Sequence, residues 1–222
     1  GMKYNCINAK NGCKEVLAET ALEAHESECI YRSVPCLTRL TLALGVTRCD
    51  CEEKVTFKDV IQDYEDHEKV TLEEHDLKIK HLISWDDDVY LSGENAYNDP
   101  TKFTLNNQTF LLAGKTQDDV VYRWVYILGS PNDAKHFGYT LKLYGPKSTL
   151  TFDGKVAAID ESFDALSEAG KCFAIPHKTF VAQFLGEEKE YEYSIEIHNL
   201  KEEAKDENYE SGISDNDEDS KE

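Results

Sequence analysis

Alternation of apolar and polar residues dominates the second half of the chain. In the stretch EYEYSIEIH, the four residues Tyr191, Tyr193, Ile195 and Ile197 fall on one face, and the residues between them are polar or charged. The stretch FGYTLKLY, which begins at Phe137, repeats the pattern. A period of two residues is typical of a half-buried antiparallel strand, so we expect both stretches to be strands.

Further strand candidates flank these two. A Gly145-Pro146 turn leads into STLTFD, and the stretches FLLAG and VVYRWVYILG precede it in the chain. The helical signal in this half is limited to TFVAQFL near Phe180. Several short strands separated by turn residues favour a mainly β fold built as an antiparallel β-sandwich. In such a fold, aromatic residues such as Trp124 and Tyr126 are expected in the core.

The first half has a different pattern, because three cysteines and one histidine fall within 24 residues. Their spacing is C-x6-C-x11-H-x3-C. Thr20 and Glu23 fit a capping box that would start a helix and place the histidine and the last cysteine one turn apart. The first two cysteines would lie on a knuckle closed by Asn11-Gly12. Four such ligands suit a closed, structural zinc site formed by Cys6, Cys13, His25 and Cys29.

The same spacing recurs downstream, which predicts a second zinc module. Cys51 is followed after eleven residues by Asp63 and after three more by His67, and Cys36 would be the first ligand. Thr56 and Asp59 supply another capping signal. The aspartate stands where the first module has histidine, so the second site is degenerate. Cys49 offers an alternative fourth ligand, and the spacing does not decide between the two sets.

Charge excludes several classes of partner. The chain has a net charge of −20, and residues 201–222 are acidic and without apolar periodicity. An acidic surface repels phosphate backbones and anionic lipid, so we expect neither nucleic acid nor membranes as partners. The N-terminus lacks the apolar core of a signal peptide, and the clustered cysteines favour metal over disulfides. We therefore expect an intracellular protein of the cytoplasm or nucleus.

Several motifs together resemble one known family. They are YNCINAKNGCKEVL, HESECIYRSVPC, HEKVTLEEHD, FGYTLKLYGPKSTLTFDG and AGKCFAIPHKTFVAQFL. In order and spacing, residues 4–199 are similar to the substrate-binding domain of seven-in-absentia ubiquitin ligases. This resemblance implies a TRAF-like antiparallel β-sandwich preceded by two small zinc fingers, with two zinc ions per chain.

The resemblance also implies domain boundaries and ligand roles. A first finger would span residues 4–32, a second and degenerate finger 33–69, the sandwich 70–199 and an acidic, disordered tail 200–222. The first zinc site would use the four ligands named above. The second would use Cys36, Cys51 and His67, with Asp63 at a position where the family has histidine.

The function implied is recruitment of degradation targets by a homodimer in the ubiquitin pathway. An extended peptide would add a strand to a sheet edge beside the zinc modules, in contact with Val70, Thr71, Glu73 and Phe103. Only five residues precede Cys6, too few for the RING finger of family ligases. We therefore expect no catalysis by this chain, although a longer parent protein could be a RING-type ligase. The alternative is a natural adaptor without a RING that binds the same partners.

Overall fold

The computed structural model describes residues 1–37, 54–68, 81–84, 96–146, 148–187 and 190–200. Within these ranges, no helix has the length and apolar character needed to cross a bilayer. The described residues form two small N-terminal modules and a sandwich of two β-sheets, which agrees with the mainly β fold expected from the sequence.

The sandwich has a four-stranded and a five-stranded sheet. The first contains β5 (His81–Ser84), β9 (Phe137–Tyr144), β10 (Thr149–Lys155) and β13 (Glu190–Asn199), in the antiparallel order β10-β9-β13-β5. The second contains β6 (Ala96–Leu105), β7 (Gln108–Gln117), β8 (Val120–Ile127), β11 (Ala157–Ala158) and β12 (Phe173–Pro176). Both β11 and β12 pair with the same edge of β8, the first parallel and the second antiparallel.

Three helices connect these strands. They are α3 (Pro131–Ala134), α4 (Phe163–Glu168) and α5 (His177–Phe184), and the last confirms the helical signal near Phe180. The two hairpins β6–β7 and β7–β8 turn through residue pairs with positive φ, Asn106-Asn107 and Asp118-Asp119. Two consecutive residues in this conformation match the type I′ turn, whose twist suits a tight hairpin.

The space between the two sheets is filled by what we call the inner core. Every apolar residue of the alternating pattern in β9 and β13 points into it and is buried, which confirms the period-two prediction. The five-stranded sheet contributes residues from the same face of β7 and β8, among them Phe110, Leu112, Val125 and Ile127. Burial on this scale is the main stabilising contribution to such a fold.

The first module is a hairpin followed by a helix. Strand β1 (Lys3–Asn5) pairs with β2 (Val16–Ala18), a 3₁₀ turn spans Ile7–Asn11, and α1 spans Glu19–Glu28. The capping box predicted from Thr20 and Glu23 is wrong, because the helix begins at Glu19 and its N-cap, Ala18, makes no side-chain capping bond. Ala18 also pairs with Lys3, so the hairpin leads directly into the helix.

The second module is described over residues 33–37 and 54–68. Strands β3 (Ser33–Val34) and β4 (Val55–Thr56) pair, and a 3₁₀ turn (Phe57–Asp59) leads into α2 (Val60–Glu68). The hydroxyl of Thr56 donates to the carboxylate of Asp59. Thr56 is the N-cap of the 3₁₀ turn but makes no side-chain capping bond, so the predicted capping signal does not form a cap here. Thr56 and Asp59 lie at the two ends of the 3₁₀ turn that precedes α2.

The second module packs on the outer face of the five-stranded sheet and forms what we call the outer core. The module contributes apolar residues from β3 and α2, and the sheet contributes the large aromatics of β8. The buried members include Val34, Leu37, Val60, Tyr64, Leu111, Trp124, Tyr126 and Leu166. Because β8 is buried on both faces, its sequence is almost continuously apolar and does not alternate.

Candidate metal centre

The first module brings together the four residues that the spacing predicted as zinc ligands. Cys6 is the N-cap of the 3₁₀ turn, and Cys13 follows Gly12 at the end of that turn. His25 lies in the last turn of α1, and Cys29 is the C-cap of the same helix. The knuckle and the helix end therefore face each other with two ligands from each.

The geometry of this cluster fits a tetrahedral metal ion. The four ligand atoms all lie within 4.8 Å of one another. The sulfurs of Cys6 and Cys29 are 3.9 Å apart, and the sulfur of Cys13 is 3.4 Å from Nε2 of His25. Tetrahedral zinc at its usual bond lengths separates two sulfurs by about 3.8 Å and a sulfur from a nitrogen by about 3.6 Å. The cluster could hold a metal ion, and its donor set is of a kind that zinc favours.

Hydrogen bonds around the cluster hold the ligands in place. The backbone N–H and the side-chain amide of Asn8 both lie within reach of the Cys6 sulfur, at 3.4 and 3.6 Å. The backbone N–H of Ile7 donates to Glu26 of α1 at 2.8 Å, which ties the knuckle to the helix. Donors of this kind stabilise a thiolate and orient it toward a metal.

A single aromatic ring closes the back of the cluster. Tyr31 packs against the buried cysteines. Gly12 has a φ of 111°, and a Cβ placed there would lie 3.1 Å from the Tyr31 ring. A left-handed conformation and a crowded neighbour both require glycine at this position. Since the core of the module is otherwise only its cysteines, we infer that a bound metal contributes much of its stability.

The thiols of the cluster differ in acidity. Burial raises the pKa of the Cys29 thiol to about 11. The pKa of Cys13 is lowered instead, first because of a hydrogen bond with the backbone of Glu15 and further because of His25. A divalent cation favours the thiolate form of each coordinating cysteine, so metal binding opposes the effect of burial on Cys29.

The second predicted metal site falls only partly within the described residues. Cys36 is buried, and Asp63 lies half-buried in α2. His67 occupies the last turn of the same helix, one turn after Asp63, as the spacing predicts. Cys49, Cys51 and the side chain of His67 lie outside the described residues. The second site and the choice between Asp63 and Cys49 therefore stay predictions.

The predicted peptide-binding residues are also only partly described. Val70, Thr71 and Glu73 lie outside the described ranges. Phe103 has no exposed surface and belongs to the inner core, so its side chain is a packing residue and offers no surface contact to a peptide. The residues that follow Phe103 form the end of β6 at Leu105 and the type I′ turn into β7.

Arg32 is a residue whose importance the sequence interpretation missed. Its guanidinium is buried where the first module, the second module and the sandwich meet. It donates to the carbonyl oxygen of Gly129, at the end of β8, at 2.6 Å and stacks 3.9 Å from the centre of the Phe57 ring. The only sequence signal was a lone arginine among apolar residues in CIYRSVPC, three residues after the last cysteine of the ligand motif.

The comparisons with known proteins agree with this architecture. No curated protein sequence matches the chain. Residues 96–196 match the family model described as the Sina, TRAF-like domain. The match begins with β6 and ends within β13, so it spans the five-stranded sheet and most of the four-stranded sheet. Residues 96–196 are therefore a TRAF-like domain of the seven-in-absentia (Sina) family.

Proposed function

We propose that this chain is the substrate-recruiting part of a seven-in-absentia-like ubiquitin ligase. The observation that carries the proposal is the Sina TRAF-like domain at residues 96–196, since a domain of this type supports a substrate-binding role in the ubiquitin pathway. The Cys3His cluster in the N-terminal part of the chain adds the metal-binding module that the family resemblance leads us to expect. The chain would act inside the cell, in the cytoplasm or nucleus, as a homodimer.

The metal in this proposal is zinc in a structural role. Cys6, Cys13, His25 and Cys29 would hold the first ion and fill all four coordination positions, which leaves none for a substrate. A second ion would be held by Cys36, Cys51 and His67 together with Asp63 or Cys49. Two zinc ions per chain would then fix the two modules in front of the sandwich.

Targets would bind as extended peptides that add a strand to a sheet edge. Strand β6 is an edge strand of the five-stranded sheet as far as the described residues go, since β7 pairs with one of its sides. The segment that contains Val70, Thr71 and Glu73 would form the other wall of the groove, and its backbone N–H groups would also bond the peptide. Because the chain is strongly acidic, we expect its preferred peptides to carry basic residues.

The alternative is an adaptor that binds the same partners without ligase activity. Such an adaptor would use the same Sina TRAF-like domain at residues 96–196 to bind its targets. Coding sequence for a RING upstream of Met2 in the native gene would favour the ligase. An open reading frame that starts at Met2 would favour the adaptor.

A peptide array followed by one backbone substitution tests the binding mode. Binders found on the array would be titrated against the wild-type protein, Thr71→Pro and Thr71→Ala. Proline removes an edge N–H donor and should weaken binding at least about 10-fold, because a strand-adding peptide depends on main-chain hydrogen bonds. Alanine keeps the donor and should change the affinity little. Strong binders with equal affinity for all three proteins would place the groove elsewhere.

A further inference from the structure

Arg32 contacts all three parts of the molecule at once. Its backbone carbonyl accepts from the N–H of Phe57 at 2.9 Å, and its guanidinium stacks on the Phe57 ring, so it is bound to the second module. Its Nη2 donates to the Gly129 carbonyl at 2.6 Å, which binds it to the sandwich. Arg32 as a whole is 8% exposed, so these contacts are shielded from water.

The same residue is bound to a ligand of the first metal site. The carbonyl oxygen of Cys29 accepts from the backbone N–H of Arg32 at 2.9 Å and from Nη1 of its guanidinium at 3.3 Å. Cys29 offers its sulfur to the metal cluster. Cys29 therefore takes part in both: its sulfur belongs to the metal cluster, and its carbonyl group is hydrogen-bonded to Arg32. Only one peptide unit and one side chain separate the metal ligand from the sandwich.

Gly129 stands at a turn that is itself well organised. It precedes Ser130, the N-cap of α3, and Ser130 and Asp133 form a capping box in which each side chain bonds the other's backbone. The backbone N–H of Ala134 donates to the Ser130 carbonyl at 3.1 Å, and that of His136 donates to the Asp133 carbonyl at 3.0 Å. These amides offer a measurable report on whether the turn stays closed.

We propose that Arg32 is a positioning residue that couples metal binding in the first module to the seating of that module on the turn at Gly129. The inference rests on the proposed metal site. When the cluster holds its metal, the end of α1 is fixed and the Cys29 carbonyl orients the guanidinium toward Gly129. When the metal is lost, the module has almost no apolar core to keep Cys29 in place, and the contact with Gly129 is released.

Linkage makes the coupling reciprocal. If the metal strengthens the contact with Gly129, then that contact must raise the affinity for the metal by the same factor. Loss of the arginine side chain should therefore weaken zinc binding at the first site by about 10-fold, although Arg32 is not itself a ligand.

Hydrogen exchange followed by mass spectrometry tests the coupling in the full chain with zinc present. Four proteins are compared: wild type, Cys13→Ser, Arg32→Ala and the double variant. Cys13 is chosen because its loss removes a metal ligand and leaves the Cys29 carbonyl in the chain. We expect each single variant to speed exchange of the amides of residues 130–136 by about 10-fold. The double variant should exchange no faster than Arg32→Ala alone.

Two further variants control for general destabilisation. Lys58→Ala removes a nearby cation whose side chain is 43% exposed, and it should leave exchange at residues 130–136 unchanged. Arg32→Lys keeps the charge, but its single nitrogen cannot bridge the two carbonyl groups, so it should behave like Arg32→Ala. Amides in the middle of β9 serve as the internal reference and should stay protected in every variant.

The outcomes separate the coupling from the metal site. Fewer than one zinc per wild-type chain by elemental analysis refutes the metal site and the coupling together. If wild type binds zinc but Cys13→Ser does not change the exchange rates at residues 130–136, the coupling alone is refuted. The coupling is also refuted if the effects of the two substitutions on the exchange rates add in the double variant, because additivity means that the two sites act independently.

Discussion

Substitution of Gly114 by alanine is a sharp test of how the inner core is packed. Gly114 on β7 lies directly opposite Arg123 on β8. The arginine side chain folds over the glycine, so a Cβ at position 114 would lie 2.2 Å from its Nη1 and 2.5 Å from its Cδ. Real Cβ atoms do not approach other heavy atoms this closely, so the guanidinium must move.

The cost follows from the contacts that the guanidinium would lose. It donates to the Tyr122 carbonyl at 2.9 Å and to the Tyr191 hydroxyl at 3.1 Å, and Arg123 is 5% exposed. A hydrogen bond from a charged donor contributes about 1.5–3 kcal/mol. Replacement of glycine by alanine inside a strand otherwise stabilises the folded state by about 0.5–1 kcal/mol. If both bonds are lost, the net destabilisation is about 3 kcal/mol.

Urea unfolding at 25 °C measures this change. Gly138→Ala is the matched control, because it also lies within a strand but its Cβ would approach nothing closer than 3.4 Å. Gly114→Ala should cost little in an Arg123→Ala background, where the clash is absent, so the coupling free energy between the two positions should be about 3 kcal/mol. The reasoning fails if Gly114→Ala is as stable as wild type, or if its cost is the same with and without the arginine.

Three other predictions concern the metal, alkaline pH and assembly. Protein purified without added metal should contain two zinc ions per chain by elemental analysis; a value between one and two would implicate the Asp63 module, and less than one would contradict the zinc assignment. Burial raises the pKa of Cys172 and of Tyr193 to about 12. Their neutral forms are thus favoured in the folded state, and this stability is complete below the unfolded pKa values and is lost as pH rises toward 12. The urea midpoint should therefore fall between about pH 9 and pH 11, and a constant midpoint would argue against these shifts. Sedimentation at micromolar concentration should show a dimer, and a mass near 25.3 kDa alone would contradict it.

The parts of the fold that could be predicted from sequence are those with a local signal. In β9 and β13 one face is buried and the other is not, so apolar and polar residues alternate along the sequence and predict the strands. The ligand cluster could also be predicted from the sequence, because a helix places His25 and Cys29 one turn apart whatever surrounds it. In both cases the deciding geometry lies within a few residues.

The parts that could not be predicted depend on contacts between distant segments. Nothing near Arg32 in the sequence points to Gly129, which is 97 residues away. The crossing of Arg123 over Gly114 likewise depends on the pairing of β7 with β8. The capping box at Thr20 failed for a related reason. Pairing of Ala18 with Lys3 fixes where the chain enters the helix, and this tertiary constraint outweighs a local capping preference.

The outer core has a consequence for anyone who wishes to express this protein in pieces. A fragment cut at the limits of the family match, residues 96–196, would lack the second module that covers Trp124 and Tyr126. These side chains have no exposed surface among the described residues, and the cut would expose the part of this aromatic sheet face that the second module covers. Such a face promotes aggregation. We therefore expect the shortest well-behaved fragment to begin at or before Ser33, well upstream of the segment that sequence similarity recognises.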